Sequence, residues 1–176
     1  MIERVTSTHA DWSVGIARII LGLIFFAHGA QKMLGWYGGA GFSGTMHTLT
    51  EVLHLPQILA FLVIVGEFFG GLGLIVGLFS RLAALVIAIT MVGAIATVNF
   101  RFGLFLNWFG DKKGNGVEYH LLAIALALIV VVKGGGALSF DGLVNEHVIR
   151  GNVGRYAGRL NPNLQIEGHN QYLWRQ

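Results

Sequence analysis

From Gln57 to Phe79 the chain reads QILAFLVIVGEFFGGLGLIVGLF, and Glu67 is its one charged side chain. A helix needs about 20 apolar residues to cross the ~30 Å hydrocarbon core of a bilayer, and this run is long enough. A helix apolar on every side needs lipid around it or a large soluble core. Three further apolar runs pose the same demand, at Trp12–Leu34, Leu82–Asn99 and Val117–Lys133. The last two are short and need flanking residues to reach across. A chain of 176 residues cannot wrap four such helices in polar ones.

Composition agrees. Hydrophobic residues make up 54% and charged residues 12%, about half the roughly 25% charged fraction of soluble domains. The 26 glycines with only 2 prolines suit helices that pack closely in lipid. The sequence therefore predicts an all-α fold, an integral membrane four-helix bundle of antiparallel up-down topology. Residues 1–138 form the bundle and 139–176 a polar C-terminal extension.

Four spans put both termini on one side. That side collects Arg4, Arg81, Lys133, Arg150, Arg155, Arg159 and Arg175, against Lys32, Arg101, Lys112 and Lys113 on the other. The excess of Lys and Arg places both termini in the cytoplasm, with the extension. The polar start MIERVTSTHAD and the lack of a small-residue cleavage site predict a first helix that stays as an anchor. The link between the second and third runs is nearly absent, so those helices are antiparallel neighbours. The loop Gly35–Leu55 is glycine-rich, with Trp36 and Tyr37 at interfacial positions and a short interfacial helix after Gly44. Phe100–Phe109 is expected on the membrane surface.

The net charge of +3 does not point to nucleic acid, because the basic residues flank apolar runs. The absence of cysteine excludes a thiol–disulfide relay, Cys-ligated iron–sulfur clusters and thiolate zinc. Dinucleotide, phosphate-loop and H-E-x-x-H patterns are also missing.

An ionisable group in hydrocarbon needs an account. Arg18 has two: its long side chain snorkels to the headgroups, or it forms a structural pair with Glu67. Glu67, near mid-span, is an interhelical clamp or an acid that handles a proton or binds a headgroup. His28, Gln31 and Lys32 share one face of the first helix. Glu118, His120, Asn99 and Arg101 reach the same membrane side. This rim is either ordinary interfacial satisfaction or a pocket for a polar headgroup such as a quinone. Two histidines, His28 and His120, are a thin signal for haem, and carboxylates are too few for a metal site. No cofactor is fixed by the sequence; a quinone is the candidate. The pairs Gly66-x-x-x-Gly70 and Gly73-x-x-x-Gly77, with Gly15 and Gly22 seven apart, mark close helix contacts.

The segments RIILGLIFFAHGAQKMLGWYGGAGFSGT (18–45), GEFFGGLGLIVGLFSRLAAL (66–85), GVEYHLLAIALALIVV (116–131) and GGALSFDGLV (135–144) together resemble the DoxX family of small bacterial membrane proteins. Ser80-Arg81 stands where Thr-Arg is common. The resemblance implies a four-helix membrane bundle and singles out Arg18, His28, Gln31, Lys32, Glu67, Arg81 and Glu118. It also implies association with membrane oxidoreductase assemblies; the family's name comes from the small subunit of a thiosulfate:quinone oxidoreductase. Two functions are expected from these features. The preferred one is an accessory or structural subunit of a respiratory or photosynthetic redox complex, contacting lipid, other membrane subunits and quinone or pigment. The alternative is a quinone-interacting oxidoreductase subunit.

Overall fold

The computed structural model describes residues 11–111 and 113–145. These are helical, with no strand among them. The chain divides into two compact units, Met1–Gly142 and Leu143–Gln176. The extension expected from 139 lies outside the described residues beyond 145.

Helix α1 spans Trp12–Leu34. The Asp11 side chain caps its start by accepting from the Ser13 and Val14 amides, and Gly35 ends it with φ 74°. A short helix, α2 (Gly41–His47), follows and widens into π geometry over Thr48–Val52. Helix α3 (Gln57–Val76) starts after Pro56 and ends at Gly77, also left-handed, so it stops short of the Phe79 end expected from the apolar run. Helix α4 (Ser80–Ala94) runs on through a π segment, Ile95–Asn99, and a 3-10 turn, Phe100–Phe102. Helix α5 is Glu118–Lys133.

Three helices are long and apolar enough to cross a membrane: Trp12–Leu34, Gln57–Val76 and Ser80–Phe102. The chain is a multi-pass membrane protein. The third is longer than the expected Leu82–Asn99. Its start is extended because the Asp141 carboxylate accepts from the Phe79 and Ser80 amides, at 2.9 and 2.8 Å. A carboxylate at a helix N-terminus satisfies orphan amides and complements the dipole. Its far end carries on through Phe102, where the sequence suggested a surface strip. At 16 residues α5 is the short one, about 24 Å at ~1.5 Å per residue.

Helix α1 packs along α3, α3 beside α4, α4 beside α5, and α5 against α1. The first of these contacts is set by glycine. A Cβ on Gly29 would run into the Phe68 backbone, one on Gly22 into Ile75, and one on Gly71 into Phe26. Gly29 therefore lies level with Glu67–Phe68 and Gly22 level with Leu74–Ile75, which makes α1 and α3 run in opposite directions. The seam is Gly22 and Gly29, seven apart, with Gly71 on the facing side; Gly15, seven before Gly22, instead meets the Ala137 backbone after α5. Gly70 has only ordinary contacts. Between α4 and α5 the fit comes from buried Ala84, Ala88, Ala123 and Ala127. The outer face is apolar: Ile16, Leu23, Leu62, Ile89, Leu122 and Val132 are all exposed.

Arg18 is the largest buried side chain, 0% exposed. Its guanidinium donates to the carbonyls of Leu74 and Ile75 at the end of α3 and of Gly135, Ala137 and Leu138 after α5. It neither snorkels nor pairs with Glu67. The expected pair fails on register: Glu67 is seven residues before Leu74, about 10 Å along α3 at ~1.5 Å per residue. Arg81 has a parallel role, donating to the carbonyls of Val131 and Val132 near the end of α5. Both cations sit where helix C-termini favour positive charge.

Candidate functional site

The same register that removes Arg18 from Glu67 delivers Lys32 to it. Gly29 lies against Glu67–Phe68, and Lys32 is three residues further along α1, on nearly the same face. Lys32 Nζ donates to both Glu67 carboxylate oxygens at 2.5 Å. The Glu67 side chain is 2% exposed and that of Lys32 32%. A carboxylate in apolar surroundings is costly unless paired, and this pairing supplies the partner.

The pair borders a cavity of about 370 Å³. Phe25, His28 and Lys32 face it from α1, Glu67 from α3, Met91, Ala94 and Asn99 from α4, and Tyr119 and His120 from α5; Leu106 and Asn115 close it from the intervening loop. The rings of Phe25 and Tyr119 stack at 6.4 Å, and His28 approaches Tyr119 at 6.1 Å. Tyr119 and His120 meet edge to face at 5.5 Å. Two polar atoms there, Tyr119 Oη and His120 Nδ1, are buried without a hydrogen-bond partner. Buried polar atoms are nearly always satisfied, so two orphans on residues that line a cavity single out Tyr119 and His120 as groups with bonding capacity left over.

The cavity brings together His28, Lys32, Glu67 and His120 from the expected cluster, with Asn99. Gln31 is not among them; its side chain reaches the Tyr37 carbonyl at 3.4 Å. Glu118 stands beside the site. It accepts from the Leu106 amide at 3.1 Å, which ties the loop to the start of α5. Backbone bonds reinforce that closure: the amides of Gly116, Val117 and Glu118 donate to the carbonyls of Phe105, Gly103 and Leu104. Arg101 points away and lies over its neighbour Phe102 at 4.9 Å. Sequence reasoning missed Tyr119, Phe25 and Asn115. The signal for Tyr119 was its place between Glu118 and His120 on a helix start already singled out.

The π segment of α4 has a part in this. Insertion of π geometry shifts helix faces, and here it lies where Ala94 and Asn99 turn to the cavity. The Asn99 side chain also holds the loop, donating to the Asn115 carbonyl at 2.9 Å.

Among the described residues no group of three His, Cys, Asp or Glu side chains is placed to hold a metal ion. The donor set fits a different ligand: one ammonium, one phenol, one imidazole nitrogen and stacked rings suit a flat molecule with carbonyl or hydroxyl groups. The volume falls within the ~300–1,000 Å³ usual for small-molecule sites.

Comparison with known proteins agrees with the helical membrane architecture. The DoxX family model matches residues 13–100, half of the chain. A Bacillus subtilis protein named "Putative oxidoreductase CatD" is 29% identical over 138 residues, 78% of this chain and 91% of its own length. The Escherichia coli "Inner membrane protein YqjF" is 30% identical over 138 residues, 77% of this chain and 95% of its own length. No solved structure gives a significant match. On the family match and the near full-length coverage of these relatives, the chain belongs to the DoxX family.

Proposed function

We propose that this chain is a quinone-headgroup-binding subunit of a redox assembly in the bacterial inner membrane. The observation that carries the reading is the Lys32–Glu67 pair on the wall of a cavity that also holds two orphaned polar atoms. A purely structural clamp needs no adjoining space. The names of the two relatives, an oxidoreductase and an inner membrane protein, agree with it.

In this reading α5 is a fourth span, short but extended by flanking residues, that completes an up-down bundle with both termini in the cytoplasm. The cavity then opens toward the outer leaflet. A bound quinone supplies two-electron, two-proton chemistry. Lys32 Nζ would offer a donor to one of its oxygens, Tyr119 would offer a second donor and His120 an acceptor, and the Phe25–Tyr119 stack would lie against its ring. Glu67 holds the Lys32 ammonium in place on the cavity wall. With no cysteine, the chain brings no thiolate-held redox centre, and electrons come from a partner subunit.

Titration of the purified protein in lipid nanodiscs with decyl-benzoquinone tests the site. Saturable binding is expected, weakened at least tenfold by Tyr119→Phe combined with His120→Ala. Absence of saturable binding to the intact protein refutes it. The subunit role is checked by isolation from native membranes under mild detergent, where recovery of the chain alone would rule it out.

A further inference from the structure

A second space of about 610 Å³ lies between α3 and α4 and has an almost wholly apolar lining. It shares Lys32, Glu67 and Ala94 with the polar cavity. From these residues it extends along α4 from Val86 to Val98, roughly 18 Å for twelve residues at ~1.5 Å each. Leu59, Leu62 and Ile89 line it and are exposed on the apolar outer face, so it opens toward lipid. Leu49, from the π stretch after α2, and Leu53, just beyond it, also line it.

The groove is open at Gly93, where a Cβ would meet nothing within 4 Å, whereas α3 and α4 come close at Gly66, where a Cβ would run into the Val86 side chain at 2.7 Å. The two hydroxyls in the groove are satisfied internally: Thr90 bonds the Val86 carbonyl at 2.9 Å and Thr97 the Gly93 carbonyl at 2.8 Å. Neither has a proton left to offer a ligand. An apolar channel with internally satisfied hydroxyls, ending on an ion pair that also borders a polar cavity, matches one kind of molecule, with a polar head and a hydrocarbon chain.

Building on the headgroup reading, we infer that the α3–α4 groove holds the hydrocarbon tail of the ligand whose head lies at Lys32–Glu67. The site thus selects tailed, membrane-dissolved quinones over short, water-soluble aromatic ones. Because the tail leaves lipid to enter the groove, hydrophobicity alone gives little preference; the selectivity comes from shape and packing.

Gly93 supplies the test. It is an exposed helix position of ordinary backbone angle with open space above it, so Gly93→Phe fills the groove without a backbone clash. In nanodiscs, decyl-benzoquinone and a tail-less dimethoxy-benzoquinone are titrated into both proteins. The expected result is a roughly tenfold loss of affinity for the decyl compound in Gly93→Phe and no change for the tail-less one. A tail-borne diazirine is expected to label α3 and α4 within the groove in the wild-type protein. Equal losses for both compounds, or no loss for either, overturn the groove assignment while leaving the headgroup site standing. Labelling spread evenly over the outer face, or a phospholipid chain retained in the groove when the decyl compound is saturating, also overturns it. If neither compound binds the wild-type protein, the headgroup reading fails and this inference with it.

Discussion

The two halves of the Lys32–Glu67 pair are expected to be unequal under substitution. Glu67 is 2% exposed and Lys32 32%. Lys32→Met strands a carboxylate among apolar groups with its only cation gone. Breaking a buried pair in this way costs about 3–5 kcal/mol. Glu67→Gln removes the charge from the buried partner and leaves the ammonium on the half that can reach the cavity. The amide still offers a carbonyl acceptor, so the loss is that of a charge-assisted bond becoming a neutral one, about 1–2 kcal/mol. Replacing both, with Lys32→Met and Glu67→Leu, removes the desolvation cost together with the attraction. Exchanges of that kind are commonly neutral or stabilising by about 1–4 kcal/mol.

The expected order of destabilisation is Lys32→Met first, Glu67→Gln second and the double variant last. Unfolding in detergent at neutral pH, followed by loss of helical circular dichroism, reads it. Binding of decyl-benzoquinone is measured on the same samples. The double variant is the informative one, because it is expected to fold well and bind poorly. That outcome separates a clamp from a binding group. Equal losses for the two single variants would refute the burial asymmetry. A double variant that binds like the wild type would refute the role of the pair in the site.

Three other outcomes follow from the packing. Arg18→Lys replaces five donors in a fixed fork with three on a point charge, so several buried carbonyls lose their partner; a loss of about 3–5 kcal/mol is expected in the same unfolding measurement. Gly29→Ala should destabilise by about 1–3 kcal/mol by pushing α1 off the Phe68 backbone, although alanine is the better helix former by about 1 kcal/mol; a stabilised variant would refute the glycine seam. The Ser13 hydroxyl and then the Val14 amide hold the Asp11 carboxyl below the usual carboxylate range. As pH falls, the unfolded chain therefore takes up this proton first. The capping stabilisation is complete above about pH 3.9 and is lost as pH drops through the lower folded value. The stability difference between wild type and Asp11→Asn, measured against pH, should be flat above that point and shrink below it.

Three of the four expected spans were legible in the sequence because bilayer thickness fixes the length of an apolar run. Their ends were less so. The extension of α4 through Phe100, Arg101 and Phe102 could not be read from a stretch that also looks like an interfacial loop. Its start depends on Asp141, sixty-one residues after Ser80, acting as a cap. The polar residues were legible as a set, since each is an anomaly in hydrocarbon, but their partners were not. Which cation meets Glu67 is a matter of helix register, and composition carries none. The register was encoded in glycine spacing, though not in the small-x-x-x-small pairs of α3. Gly22 and Gly29, seven residues apart, meet α3, and Gly71 is the close position on the facing helix. Aligning Gly29 with Glu67–Phe68 assigns Lys32 to Glu67 and Arg18 to the end of α3 at once.

The two cations of α1, buried Arg18 and half-buried Lys32, then differ in their partners. Arg18 is 0% exposed and bonded only to backbone carbonyls, through a group that does not lose its proton at any physiological pH. Arg81 does similar work at the end of α5. The structural need for positive charge is met at the helix C-termini, by the residue type that cannot titrate. Lys32 and Glu67 are the opposite case. They face each other at 2.5 Å and border a polar cavity on one side and an apolar groove on the other. A bundle that needed only to be held together would close both spaces with larger side chains. It would leave neither Gly93 open nor Tyr119 and His120 with unbonded atoms on a cavity wall. The packing left undone on both sides therefore converges on the Lys32–Glu67 pair, and that convergence is what supports the proposed site over a plain scaffold.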